Sequence, residues 1–179
     1  TGRPVTRYVA STTMQSEMQS SLGLGSLFVF IVLSLGFRSF KQASVTLIPI
    51  LLVVVWLYGL MYMAGSSLNI VTVTIATISL GVGIDYCIHV TERYREGRES
   101  GESHNEALIG IGGACGLALI GSAASDIAGF SVIALSPMGL FTNFGIFSAA
   151  MIAFSLVASL VLTTAALGLI ARTPPSEAE

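Results

Sequence analysis

Five apolar runs, each long enough to cross a bilayer, constrain this chain more than any other feature. They fall at about 20–37, 42–64, 68–91, 106–135 and 139–171. A membrane helix needs about 20 mostly apolar residues to span a hydrocarbon core ~30 Å thick. The expected fold class is therefore an all-α membrane protein, a five-transmembrane-helix bundle over 21–172. Residues 1–20 read as the remnant of an external domain with a polar helical lead-in, and 173–179 as a cytoplasmic tail. Composition agrees: 53% of the 179 residues are hydrophobic and 10% charged, with mean hydropathy +0.83. A soluble domain carries about 25% charged residues. The net charge of −2 provides no basic field for nucleic acid, so the expected surroundings are the lipid bilayer. No metal-ligand cluster, cofactor-binding loop or short repeat stands out. Cys87 and Cys115 fall inside predicted helices and read as small packing residues.

Within this frame one residue is out of place. Asp85 lies deep in the third run, with no basic residue near it in sequence. An aspartate in a membrane span costs roughly 2.5–3.5 kcal/mol on insertion scales, which makes it a functional candidate. On a helix, Thr74, Thr77, Gly81, Asp85 and His89 share one face, stepping by three or four residues. That face is polar or small throughout, so the expectation is that it looks into a helix bundle and not at lipid.

A second acid, Asp126, lies inside the fourth run, with Ser122 one turn before it and Gly129 about one turn after. The fourth run is about 45 Å long as a helix, more than the membrane core. If its start lies at or outside the membrane surface, Asp126 is level with the membrane centre and close to Asp85 in depth; otherwise it lines an outward water path. His89, one turn inward of Asp85, could relay protons or simply hydrogen-bond at the interface. Tyr86 points about 100° away from Asp85 and could offer its hydroxyl to a neighbouring helix.

The remaining signals concern topology and packing. Arg38 and Lys41, then Arg93, Arg95 and Arg98, then Arg172 all fall on one side of a five-helix zigzag. The positive-inside rule makes that side cytoplasmic, with the N terminus outside and the C terminus inside. Pro49 is expected to kink the second helix, and Trp56, Tyr58 and Tyr62 to approach the outer interface. The fourth run is rich in glycine and alanine, from Gly110 to Ala124, which predicts close contact with the third helix through small residues. Ser148, Ser155, Ser159 and Thr163 of the fifth run share a face and read as helix-contact residues.

Gly81-Val82-Gly83-Ile84-Asp85-Tyr86, followed by Glu92-Arg93-Tyr94-Arg95-Glu96, resembles the fourth or tenth transmembrane helix of the resistance–nodulation–division (RND) superfamily. The similarity is greatest to its MmpL-type and hydrophobe-exporter branches. Phe37-Arg38-Ser39-Phe40 resembles the usual first inner turn. Ala128-Gly129-Phe130, Ser136-Pro137 and Phe144-Gly145 resemble the passage from fifth to sixth helix, and Thr1-Gly2-Arg3-Pro4 the last strand of a porter domain. The resemblance implies one transmembrane half of a proton-driven exporter of hydrophobic or amphiphilic, lipid-like molecules, placed in the inner membrane. It implies a proton relay on Asp85 and Tyr86, to which Asp126 and His89 are candidate additions, and no enzymatic activity. An acid at Asp126 departs from the branch, which usually has a hydroxyl or small residue there. The chain matches one five-helix half, and its Pro-Pro acidic ending favours the C-terminal one. Its partner is then the other half or a second copy. The same five-helix unit also resembles a sterol-sensing domain, and less closely the auxiliary subunit of protein export. An intramembrane aspartyl protease would need a GxGD spacing, and this motif is one residue longer.

Overall fold

A computed structural model describes the backbone of residues 3–66 and 70–170, and the side chains of 20–66, 74–78 and 80–169. Five helices within it are long and apolar enough to span a membrane, and no strand occurs among the described residues. We call them α1 (Arg3–Phe37), α2 (Phe40–Met63), α3 (Ile70–Glu99), α4 and α5. α4 is built from His104–Gly110, a widened π-type turn Ile111–Cys115, and Gly116–Ala134. α5 comprises Gly139–Val157, a second widened turn Ala158–Thr163, and Thr164–Ile170. Arg3 and Pro4 already belong to α1, while Thr1, Gly2, Leu68 and the tail beyond residue 170 lie outside the described residues.

The sequence sets these boundaries through local capping. Ser39, in extended conformation, caps α2 by accepting from the Gln42 backbone N–H, directly after Arg38 turns the chain at φ +50°. α2 then runs on through the buried Pro49. Its C-terminus closes with Gly65 at φ +65°, and the N–H groups of Ser66 and Gly65 reach back to the carbonyls of Met61 and Tyr62. This is the paired closure that a left-handed residue after a helix permits. Gly101 repeats it after α3, with Glu102 and Gly101 donating to Gly97 and Arg98. Ser103 and Glu106 then form a reciprocal capping box that starts α4. α3 carries its charged segment Glu92–Glu99 as continuous helix, beyond the apolar run that ends near residue 91.

That end of the bundle is tied together by polar contacts. Tyr94 Oη and His104 Nδ1 lie 2.9 Å apart, with their rings edge-to-face at 5.8 Å. Arg93 pairs with Glu102 at 3.3 Å, and Arg95 with Glu92 and Glu99 at 3.1 and 3.3 Å. The Arg95 guanidinium also lies over the Phe37 ring at 5.7 Å, joining α3 to the end of α1.

α3 is the hub: it packs on α1, α2 and α5 along its length, and meets α4 chiefly through the first turns of α4. One core cluster, with Ile50, Leu80, Ile84 and Cys87, lies among α1, α2 and α3. The larger one, with Leu57, Ile75, Val90, Ile111, Met151 and Ile152, joins α2 to α5. Ser148, Ser155, Ser159 and Thr163 are fully buried in this bundle. Thr163 donates to the Cys87 sulfur at 3.3 Å and Ser159 to the Leu156 carbonyl at 2.9 Å.

The small residues of α4 do not meet α3 as expected. Side chains added at Gly112, Gly113 or Gly121 would meet nothing within contact range; Gly110 is covered by the Arg93 guanidinium of α3, and Gly116 by the Ile111 carbonyl and Leu160, neither of them in α3. The close approaches are made by glycines of the partners instead. A Cβ at Gly145 of α5 would collide with the backbone of Phe130 and Ala134 in α4, and one at Gly83 of α3 would meet Ser155 Oγ at 2.7 Å. Small size permits close contact but does not choose the neighbour.

Candidate proton-relay site

The polar stripe of α3 is real, but its direction is opposite to expectation. Thr74, Thr77, Gly81, Asp85 and His89 are all exposed on the surface of the five-helix bundle. The cause lies on the rest of the helix. Ile75, Ala76, Leu80, Ile84, Cys87 and Val90 claim the interior contacts to α1, α2 and α5. This rotates the stripe outward, towards the gap between α3 and the second half of α4. Thr72 and Ser79, which share the face of Tyr86 in the sequence, have side chains outside the described residues.

The stripe borders a cavity of about 440 Å³, walled by Val82, Asp85, Tyr86 and His89 from α3. Cys115, Ala118, Leu119, Ser122 and Asp126 of α4 form its other wall. Across it the Tyr86 hydroxyl donates to Asp126 Oδ2 at 3.0 Å. Tyr86 is only 4% exposed, so its ring is fixed by packing and its hydroxyl reaches out between the helices. Asp126 is half-buried and Asp85 is open to the groove. Asp126 thus bonds to the tyrosine next to Asp85, with both acids on one cavity wall or the other. The early start of α4, at His104, brings Asp126 to this depth. His89 lies at the same cavity, and its backbone carbonyl receives the Cys115 thiol at 3.9 Å.

Cys115, Ala118 and Leu119 were not singled out by the sequence as site residues. The signal was present: 115, 118, 122 and 126 step along α4 with the stride of 81, 85 and 89 on α3. Chemically, the cavity offers two carboxylates, an imidazole, a phenol and a serine within one groove. Such a set can take up, hold and pass protons along hydroxyl and carboxyl groups.

The family model for the MMPL family matches residues 1–179. Membrane protein MJ1562 of Methanocaldococcus jannaschii is 30% identical over 165 residues, which are 92% of this chain and 42% of that protein. The hopanoid transporter HpnN of Burkholderia multivorans is 31% identical over 159 residues, 86% of this chain and 17% of its own. The multidrug resistance protein MdtC of Cronobacter sakazakii is 31% identical over 165 residues, 90% and 16% respectively. The chain spans less than half the length of each of these relatives.

Proposed function

Because the chain belongs to the MMPL family, we propose that it is one transmembrane half of an RND-type exporter driven by the proton gradient. Its cargo would be hydrophobic or amphiphilic, in keeping with a relative named for hopanoid transport. The observation that carries this reading is the groove in which Asp85, Tyr86 and Asp126 converge, with the tyrosine hydroxyl bridging the two helices at 3.0 Å. Asp85 is the group that loads a proton from one side of the membrane and releases it to the other. Tyr86 holds Asp126 in place and offers a hydroxyl path between the carboxylates. His89 extends the groove towards the basic, cytoplasmic end. The protein does no covalent chemistry on its cargo.

The exposed stripe asks for a cover, because polar groups facing hydrocarbon are costly. In this proposal a second five-helix bundle lies against it, supplied by the remainder of a longer polypeptide or by another copy. The greater length of the relatives supports this arrangement. The basic residues at Arg38–Lys41 and Arg93–Arg98 support a cytoplasmic position for the end of the bundle that they share.

The test is Asp85→Asn in the complete transporter, reconstituted in proteoliposomes with an imposed pH gradient. Asn is close in size and cannot ionise, so the fold and cargo binding should survive while export and coupled proton flux are lost together. Undiminished export would rule out the relay on Asp85.

A further inference from the structure

α1 and α2 enclose a second groove, remote from the relay site, of about 480 Å³. Its walls are Phe30, Ile31, Leu35 and Phe40, with the rings of Phe30 and Phe40 6.2 Å apart. From Phe30 to Arg38 the helical rise is about 12 Å, most of the ~15 Å depth of one leaflet. Inside the groove Ser34 Oγ is shielded from solvent and has no hydrogen-bond partner in the protein. At its mouth are Arg38 and Ser39, where α2 begins. Lys41 follows, exposed. Arg93 and Arg95 at the same end of the bundle have carboxylate partners, whereas neither Arg38 nor Lys41 has one among the described residues. The mouth is therefore a site of uncompensated positive charge, reinforced by the first backbone N–H groups of a 24-residue helix.

An apolar slot most of one leaflet deep, with uncompensated cations at its mouth, matches one kind of molecule. We propose that this groove holds an anionic glycerophospholipid of the surrounding bilayer. The phosphate lies against Arg38 and the N-terminus of α2, with Lys41 beside it. One acyl chain follows Phe30, Ile31 and Leu35. The complement is in charge and in length together, which a free anion or a neutral lipid each lacks. The proposal is independent of the relay on Asp85.

Native mass spectrometry of the full chain released from micelles tests it. Phosphatidylglycerol and phosphatidylcholine with matched acyl chains are the probes. Phosphatidylglycerol should be retained in preference. A basic residue near the membrane surface contributes about fivefold to anionic lipid binding, so Arg38→Gln with Lys41→Gln should weaken retention roughly thirtyfold. Leu35→Trp keeps both charges but fills the slot. Because Leu35 is 73% exposed, this variant leaves the core intact, and it should lose phosphatidylglycerol as well. It carries the test if the charge variant fails to fold. Arg98→Gln, at the same end but away from the groove, should retain the lipid. Equal binding of the two lipids, or unchanged retention in the Leu35→Trp or the double variant, would overturn the assignment. So would displacement by millimolar glycerol phosphate, which would make the site one for free anions.

Discussion

Gly145→Ala should loosen the bundle at the contact that sets the position of Asp126. A Cβ at Gly145 would lie 2.5 Å from the Phe130 carbonyl oxygen and 2.8 Å from Ala134 Cα. Ordinary contact begins near 3.4 Å, so α5 and the second half of α4 must part by roughly 0.9 Å. The colliding atoms are backbone, so no side chain can swing aside. Overpacking of this kind costs about 1–3 kcal/mol, while replacing glycine by alanine inside a helix returns about 1 kcal/mol. The net expectation is a loss of about 0–2 kcal/mol. Gly121→Ala is the matched control, since its Cβ would meet nothing within 4 Å; it should stabilise by about 0.5–1 kcal/mol. The two substitutions, identical in chemistry and on adjoining helices, should thus differ by about 1–3 kcal/mol. Reversible unfolding by sodium dodecyl sulfate in mixed micelles measures that difference. Phe130 is one turn from Asp126, so the same displacement should stretch the 3.0 Å bond to Tyr86. Equal stability of the two variants would refute the reasoning, because it would mean that Gly145 does not define how closely these helices approach.

Tyr86→Phe removes the hydroxyl donated to Asp126 and nothing else. Side-chain hydrogen bonds inside membranes average about 0.6 kcal/mol and reach about 1.7, so unfolding should shift little while proton flux falls. A loss above about 3 kcal/mol would instead mark the tyrosine as a structural residue. Cysteine labelling tests orientation and cover together: Ser66→Cys should react from outside and Ser100→Cys from the cytoplasm. Thr77→Cys should react in the isolated bundle but be shielded in the assembled transporter. Reaction of Ser66→Cys from the cytoplasmic side only would invert the topology.

Run length made the helices legible, because it is local. It did not fix every end: apolarity stops near residue 91, whereas α3 continues through its charged residues to Glu99 and the cap at Ser103 and Glu106 starts α4 at His104. The stride of Thr74, Thr77, Gly81, Asp85 and His89 correctly identified one face of α3. It could not say what that face meets, since periodicity fixes the relative angles of side chains and not the identity of the neighbour. A polar stripe looks equally suited to the inside of a bundle and to an interface with another bundle. The glycines of α4 failed for the same reason. Close approach falls instead at Gly83, which packs on Ser155, and at Gly145, which packs on the backbone of α4. The meeting of Tyr86 with Asp126 depended on where α4 begins. The serine–glutamate cap at 103 and 106 places that start early, and so places Asp126 level with Tyr86.

The widened turn at Ile111–Cys115 divides α4 into two unequal mechanical parts. Before it, His104 and Glu102 are clamped to Tyr94 and Arg93. Within it, Gly113 departs from helical geometry, with φ −76° and ψ −125°, and has open space around it. Beyond it, regular helix from Gly116 carries the chain on, and Asp126 lies about 20 Å from Gly113 along the axis at 1.5 Å per residue. That segment is a lever with its fulcrum at Gly113. A rotation of only ~5° about the fulcrum carries Asp126 roughly 1.7 Å sideways, enough to break its bond to Tyr86 without disturbing the clamped end. The distance between the two walls of the groove is thereby tied to the tilt of one half-helix, and through Gly145 to α5.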